Sequence, residues 1–231
     1  MNKRIAIVQS NYIPWKGYFD LIAAVDEFIL YDDAQFTVRD WRNRNKIKTP
    51  KGSEWMTIPV GADRNRRIRD VTVPASGWQR KHWKTLEANY RHAPFFEEIA
   101  IILWPLYLRD YANLSVLNRD FIEAVCRYLG ITTEITNSWD YNLTGGKTER
   151  LVGLCRQSGA TEYISGPSAK DYIEEEQFLN QEISLTWFDY VGYPKYPQLW
   201  GEFTHEVSIV DLLFNCGKAS PNYMKFVRPK I

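Results

Sequence analysis

The sequence predicts an α/β protein with a mainly parallel sheet, flanking helices and a central helical insertion. Strand-like apolar runs alternate with helical patterns at both ends of the chain, which is typical of parallel sheets. A purely helical stretch, at about residues 76–130, separates the two ends. The 231 residues and 45% hydrophobic content suffice for one large core, so we expect residues 1–231 to form a single domain.

The first α/β unit extends to Asp33. It comprises a strand, a polar and aromatic loop, a helix and a second strand: Ile5–Val8, Gln9–Tyr18, Phe19–Val25 and Phe28–Tyr31. Ligands of open parallel sheets bind beside the carboxyl ends of the strands. Both the Gln9–Tyr18 loop and the pair Asp32 and Asp33 follow such ends, which predicts a site near the amino terminus.

Between this unit and the helices, two β-like runs around a Pro-Gly turn predict a hairpin, Ile47–Thr49 with Trp55–Val60. The charged stretch Asp63–Arg69 is predicted to be a loop, and Val71–Val73 a short strand. Three helices are then predicted: Trp78–His92, Phe95–Tyr111 and Leu114–Leu129, the last with Asn113 as its N-cap and Gly130 as its end.

Strands and helices alternate again after the insertion. The predicted strands are Ile131–Ile135, Glu162–Ile164 and Ile183–Tyr190, and the predicted helices are Thr148–Gln157, Asp171–Leu179 and His205–Asn215. Apolar spacing supports the helices and alternation supports the last strand. This second α/β stretch predicts additional strands for the same sheet.

The amino-acid composition limits the kinds of molecule that this protein is expected to bind. The net charge of +1 gives no electrostatic reason to expect nucleic acid or a membrane as partner. Nine Trp and fourteen Tyr are numerous for this length, and they either fill the core or line a cleft that stacks on a sugar or a base. No apolar run approaches the roughly 20 residues that span a bilayer, and no signal peptide precedes Ile5, so we expect a cytoplasmic protein.

The cysteines and histidines predict neither a metal site nor a thiol enzyme. Cys126, Cys155 and Cys216 are scattered in apolar helical contexts without metal-ligand spacing or an adjacent base. His82 and His92 fall in a charged helix and are predicted to lie at the surface. We therefore expect no metal and no tightly bound cofactor.

The Gln9–Tyr18 loop weakly resembles the strand–loop–helix entry of nucleotidylyltransferase-like folds, a Rossmann-like class. Tyr12, Pro14 and Gly17 match that pattern. Trp15 and Tyr18 stand where that family has two histidines, so a shared architecture is expected without the shared reaction. The alternative is a tight turn with Trp15 packed beneath it.

The wider pattern resembles the WbqC-like family over nearly the whole chain. The motifs are Gln9-x-Asn11-Tyr12-x-Pro14-Trp15-x-Gly17-Tyr18-Phe19, Tyr31-Asp32-Asp33-x-Gln35-Phe36 and Trp41-x-Asn43-Arg44-Asn45, then Tyr163-Ile164-Ser165-Gly166, Tyr193, Tyr196-Pro197-Gln198, Phe203 and Ser208-x-x-Asp211-x-x-Phe214-Asn215-x-Gly217. Members occur among bacterial surface-polysaccharide (O-antigen, lipopolysaccharide) functions.

This resemblance implies a transferase that adds an aminoacyl or acyl group to the amine of a nucleotide-linked aminosugar. The acyl donor would be held by a coenzyme or an acyl carrier protein. One alternative is an ATP-using nucleotidyltransferase or ligase on a related fold. Another is a non-catalytic protein that binds sugar nucleotides.

Residue chemistry supplies the candidate catalytic groups. Asp32 or Asp33 could deprotonate an attacking amine, and adjacent strand residues face opposite sides, so at most one is expected to point into a cleft. The alternative is a solvated turn. His205 is a further candidate base, unless it simply packs at the start of the last helix.

Candidate binding residues follow the same logic. Gln9, Asn11, Tyr12 and Trp15 lie in the first loop and, with Asp33, are expected to line one cleft. Arg42 and Arg44 could clamp a diphosphate, with Asn43 as a neutral partner on the opposite strand face, or they form an exposed basic face.

Three more binding positions are predicted after the insertion. Lys147 at a helix start and Ser165 at a strand end could hold an anion, or belong to ordinary capped turns. The loop containing Tyr193, Tyr196 and Gln198 is predicted to close over the substrate; otherwise its tyrosines pack on the last helix.

Overall fold

The computed structural model describes residues 2–228 and is built around a five-stranded parallel sheet. Within these residues the strands are β1 (Arg4–Val8), β2 (Glu27–Leu30), β3 (Arg44–Thr49), β4 (Gly52–Thr57), β5 (Glu134–Asn137), β6 (Glu162–Ser165) and β7 (Ser184–Trp187). The helices are α1 (Lys16–Ala23), α2 (Trp78–Tyr90), α3 (Phe96–Leu108), α4 (Leu114–Leu129), α5 (Lys147–Gln157), α6 (Glu175–Leu179) and α7 (Ile209–Cys216). The predicted fold class is confirmed.

The strand order is β5-β2-β1-β6-β7, and every pair in this sheet is parallel. Counted along the chain within the sheet, this order is 3-2-1-4-5, the arrangement of doubly wound Rossmann-like folds. The order reverses between β1 and β6. Ligands of such sheets bind outside the carboxyl ends of the strands near that reversal, so the loop after β1 occupies the expected position.

The two faces of the sheet are covered by different helices. Side chains alternate along a strand, and accordingly Ala6 of β1 packs into the larger core with α1, α4 and α7, whereas Ile5 and Ile7 pack into a second core with α5 and α6. The helical insertion α2–α4 belongs to the larger core. No helix within residues 2–228 has the length and apolarity needed to cross a bilayer.

The predicted helix signals in the insertion act as expected. The Asn113 side chain accepts a hydrogen bond from the Val116 amide at 3.0 Å and caps α4. Gly130 ends α4 in the left-handed region, with φ of 75°. The hairpin β3–β4 is also present, and it is longer than predicted because pairing extends from Arg44 to Thr57 around the Pro50-Lys51 turn.

Several element bounds differ from the predictions. Val71–Val73 is not a strand, since Thr72 makes only an isolated bridge to Asn113. The last helix begins at Ile209 instead of His205 because the Ser208 hydroxyl accepts from the Val210 amide as its N-cap. The strand predicted at Ile183–Tyr190 is limited to β7, which pairs with the four residues of β6 at the sheet edge.

The carboxy-terminal segment closes against the first helix. Asp20 of α1 is fully buried, and its carboxylate accepts hydrogen bonds from three consecutive backbone amides, those of Lys225, Phe226 and Val227, at 2.8–3.1 Å. Lys225 also pairs with Asp189 at 3.2 Å. The end of the described chain is therefore bonded to its first helix.

Candidate functional site

A cleft of about 450 Å³ is formed by the loop that follows β1. We call it the Trp15–His205 cleft. Its lining residues come from that loop, from Trp41, from β3 and from the segment before α7: Asn11, Pro14, Trp15, Trp41, Asn45, His205, Glu206 and Val207. Three predicted binding or catalytic residues, Asn11, Trp15 and His205, are brought together here.

Hydrogen bonds from both ends of the chain fix the loop. Ile13 has a φ of 36°, which is unfavourable for a β-branched residue. Its carbonyl accepts from Asn45 Nδ2 at 2.9 Å and from the Ser208 hydroxyl at 2.6 Å, while the Pro14 carbonyl accepts from the Ile209 amide at 2.9 Å. These bonds offset the strain and hold the cleft open in one shape.

Tryptophan rings form its apolar walls. Trp15 packs on Tyr190 and Tyr193, with ring centroids 5.4 and 5.6 Å apart. Trp41 is 40% exposed and rests on Trp55 at 5.1 Å. Supported aromatic faces of this kind suit stacking on a planar base or the apolar face of a sugar.

His205 is the candidate base that reaches the cleft. Its half-buried ring packs edge-on against Phe203 at 4.5 Å, and its Nδ1 atom is buried without a hydrogen-bond partner among residues 2–228. Partial burial, with the nearby cations Lys16 and Lys195, lowers the pKa of His205. The imidazole is therefore neutral at pH 7 and can accept a proton.

Asp32 and Asp33 lie at the same sheet end but outside the cleft lining. Asp32 is fully buried and accepts from the Ser10 amide at 2.8 Å and from the Ser115 hydroxyl. Burial raises its pKa, against the opposing effect of these donors. Asp33 accepts from the Ser138 hydroxyl at 2.8 Å.

Asp33 also pairs with two guanidinium groups, Arg67 at 3.4 Å and Arg69 at 3.1 Å. Both come from the charged stretch that sequence analysis predicted only as a loop. Both carboxylates are therefore engaged by protein groups, and neither of them lines the Trp15–His205 cleft.

Tyr12 lies in the core instead of lining a cleft. Its ring is fully buried, and its hydroxyl contacts His82 Nδ1 at 2.9 Å and the Tyr107 hydroxyl at 2.6 Å. The prediction that His82 lies at the surface is wrong, because this hydrogen bond and one to the Thr57 carbonyl at 3.2 Å draw the ring inward.

Gln9 contacts residues near the cleft through its backbone carbonyl group. Its carbonyl accepts from the Tyr18 hydroxyl at 3.1 Å and from Arg42 at 3.5 Å. Arg42 also donates to Asn11 Oδ1 and lies 3.8 Å from Asp40, so it supports a residue of the cleft. We find its guanidinium already engaged by protein groups.

The basic strand has the alternation that was predicted. Asn43 and Asn45 are buried on one face, and Asn43 donates to the Ile58 carbonyl at 2.8 Å. On the other face, the Arg44 guanidinium lies 4.0 Å from the Trp55 ring centre and donates to the Arg39 carbonyl. Arg44 thus supports the aromatic wall from behind.

Two predicted anion contacts lie elsewhere. Lys147 is exposed at the start of α5, with its ammonium 5.8 Å from the Tyr172 ring. The helix start beside it is occupied by the chain's own Glu149 carboxylate, which accepts from the Gly146 amide at 2.5 Å. Ser165 is buried at the end of β6, where its carbonyl accepts from the Phe188 amide at 2.8 Å.

The loop predicted to cover the substrate is anchored to the core. Tyr196 and Gln198 both donate to Asp211 Oδ1 at 2.8 Å, and Tyr90 donates to Asp211 Oδ2 at 2.8 Å. Gln198 Oε1 also accepts from Lys48 at 2.9 Å. Tyr196 therefore packs towards the last helix, which was the alternative interpretation. Tyr193 is buried beneath Trp15.

Five lining residues were not among the predicted site residues: Pro14, Trp41, Asn45, Glu206 and Val207. Trp41 carried a signal, since it stands among charged residues in Arg39-Asp40-Trp41-Arg42, where a core tryptophan is unexpected. Pro14 and Asn45 stand in motifs of the family resemblance, whereas Glu206 and Val207 carry no signal.

The three cysteine thiols are buried and unreactive. Cys126, Cys155 and Cys216 are buried and unpaired. Burial raises the pKa of all three, that of Cys155 to about 12 and that of Cys216 to about 11. Protonated thiols are poor nucleophiles, which supports the prediction that none is catalytic.

Comparison with known proteins adds a family assignment. The model of the WbqC-like protein family matches residues 9–223. An uncharacterized protein of Mycobacterium tuberculosis strain H37Rv is 56% identical over 229 residues, which cover 98% of this chain and 99% of the relative. No solved structure shows significant similarity.

Proposed function

The chain belongs to the WbqC-like protein family, and on that premise we propose that it acts in bacterial surface-polysaccharide assembly on a nucleotide-linked aminosugar. The reaction proposed is transfer of an aminoacyl or acyl group to the sugar amine. The Trp15–His205 cleft is the proposed binding site.

The observation that supports this proposal is the composition of the cleft. Its volume of about 450 Å³ falls within the range of small-molecule sites. Trp15 and Trp41 offer apolar faces for a base or sugar ring, and polar side chains such as Asn11 line the same cleft. Asn11 accepts from Arg42 through Oδ1, so its amide nitrogen remains to donate to a sugar hydroxyl.

His205 supplies the acid–base chemistry that acyl transfer needs. In the proposed step, the sugar amine attacks the carbonyl carbon of the activated acyl group, and a C–N bond forms. The bond between that carbon and the thiol of its coenzyme or carrier protein breaks. The neutral imidazole of His205 accepts the proton of the amine and passes it to the departing thiolate.

Two other functions remain as alternatives. An ATP-using nucleotidyltransferase or ligase would place adenine between the same tryptophans. A non-catalytic sugar-nucleotide-binding protein would use the cleft without turnover by His205. Each gives a different pattern in the experiment below.

The experiment is calorimetric titration with deoxythymidine, uridine and guanosine diphosphate sugars, and with ATP and magnesium. We expect one sugar nucleotide to bind and Trp41→Ala to weaken it, roughly fivefold or more from lost stacking. Phe226→Ala removes another part-exposed aromatic ring outside the cleft and serves as the control, with unchanged affinity.

His205→Ala separates the three functions. The transferase predicts retained sugar-nucleotide binding and lost acylation of the amine. Binding of ATP alone would favour the ligase, and binding without any acylation by wild type would favour the binding protein. If Trp41→Ala left every affinity unchanged, the assignment of the cleft would be rejected.

A further inference from the structure

The outward face of α3 is apolar after its first turn, which carries Glu97 and Glu98. Its inner face supplies Ile99, Leu103 and Leu106 to the core. A second stripe with the same helical spacing faces outward: Ile101, Trp104, Pro105 and Leu108. Ile101 is 77% and Leu108 63% exposed. A helix of a water-facing protein normally carries polar residues there, so an apolar outer stripe indicates an interaction surface.

Helix α2 places cations directly beside this stripe. Arg80, Lys81 and Lys84 are all exposed, and none makes an ion pair within residues 2–228. Glu87 is the single acidic residue of α2. Arg80 and Lys84 line the same groove, of about 680 Å³, as Trp83, Trp104 and Leu108, so these two cations are contiguous with that apolar surface. Glu87 lines the groove too, and Lys81 lies in the neighbouring depression beside Arg80 and Lys84.

We propose that the α2–α3 face binds the surface of an anionic lipid bilayer. Anionic headgroups would neutralise Arg80, Lys81 and Lys84, while Ile101 and Leu108 enter the boundary between headgroups and acyl chains. The acidic residues of the two helices, Glu87, Glu97 and Glu98, lie towards the loop that joins them, whereas the cations lie towards the start of α2. The net charge of +1, from which no membrane partner was expected, does not show this separation.

Other binding partners would account for only some of the features of the α2–α3 face. A second copy of this chain would bring a second set of the same cations to the interface, because a two-fold interface uses one surface twice. An acidic protein would satisfy the cations but gives no reason for two side chains as exposed as Ile101 and Leu108. The inference stands apart from the proposed catalytic function, since the patch shares no residue with the cleft.

The test is co-sedimentation of the full chain with vesicles of phosphatidylcholine, alone or mixed equally with phosphatidylglycerol. We expect binding to the mixed vesicles and little to the neutral ones. Lys81→Glu with Lys84→Glu should weaken binding by at least about fivefold for each charge. Ile101→Asp with Leu108→Asp should abolish it.

Matched controls use equally exposed residues elsewhere. Leu179→Asp, at a leucine 75% exposed on α6, and Lys51→Glu, on the hairpin turn, should bind like wild type. Both double variants change exposed side chains, and their unfolding temperatures and sugar-nucleotide affinities should match wild type. The sugar-nucleotide affinity tests the proposed function separately from vesicle binding, so failure of one proposal can be distinguished from failure of the other.

Three outcomes would overturn the inference. The first is no binding of wild type to the mixed vesicles at low salt. The second is binding that depends on Lys81 and Lys84 but not on Ile101 and Leu108, which would indicate an acidic protein partner. The third is a dimer in size-exclusion chromatography that Ile101→Asp dissociates.

Discussion

His82 shows how one side chain can be fixed by the direction of its hydrogen bonds. The Thr57 carbonyl can only accept, so His82 Nε2 carries the proton. Nδ1 must then accept from the Tyr12 hydroxyl, which leaves Tyr12 to accept from Tyr107. Protonation of His82 would break this chain of donors, and the protein therefore holds the ring neutral.

We expect the stability of the protein to fall in acid because of this residue. Burial lowers the pKa of His82 from 6.5 to about 4. The unfolded chain takes up the proton near pH 6.5 and the folded chain only near pH 4, so the free energy of unfolding declines as pH falls through this window. The full effect is about 3 kcal/mol.

Urea unfolding at a series of pH values measures this decline. His205, whose pKa is also lowered, contributes in the same sense. The comparison is therefore made with His82→Gln, which should be less stable at pH 7 and less sensitive to acid. An equal acid dependence in that variant would show that His82 is not the group responsible.

Among the elements, the Tyr193–Gln198 loop differs most from its prediction. Its proline, tyrosine and glutamine residues suit a mobile lid as well as a loop that is anchored to the core. The sequence cannot show which group accepts hydrogen bonds from the tyrosine and glutamine side chains. The partner is Asp211, buried in α7, and burial raises its pKa against the donors Tyr90, Tyr196 and Gln198. A buried carboxyl group needs these hydrogen bonds.

Gln198→Ala should therefore lower stability and leave affinity unchanged. The variant removes a donor to Asp211 and an acceptor for Lys48, and hydrogen bonds to charged groups contribute about 1.5–3 kcal/mol each. Denaturant unfolding and sugar-nucleotide titration give the two values. Normal stability with weakened affinity would restore the lid interpretation.

The helices and strands could be predicted because the spacing of apolar residues along the sequence shows which face of an element is buried. The strands β1, β2 and β6, the helices α2–α4 and the alternation of Asn43 and Asn45 with Arg44 all follow from spacing. The strand predicted at Ile131–Ile135 is displaced to Glu134–Asn137. Loops lack such a period. For this reason sequence analysis placed Tyr12 in a cleft although it points into the core. It could not show that Trp41, 26 residues after Trp15 in the numbering, lines the same cleft.

At the scale of the whole molecule, the carboxylate of Asp20 joins the two ends of the described chain. Asp20→Asn should destabilise the protein by at least about 1.5–3 kcal/mol, because the amide carries one oxygen and directs N–H groups at backbone donors. Asp189→Asn removes the exposed pair with Lys225 and should cost less than about 1 kcal/mol. Urea unfolding of both variants checks the difference, and equal losses would contradict it.

The hydrogen bonds between Asp20 and the amides of residues 225–227 also determine the order in which parts of the protein can fold during synthesis. A ribosome makes Asp20 long before Lys225, Phe226 and Val227, so the first helix emerges before the amides that donate hydrogen bonds to its carboxylate exist outside the tunnel. Until then the carboxylate must stay hydrated, because burying it without donors is costly. The first helix can therefore reach its final contacts only after residues 225–227 have left the ribosomal tunnel.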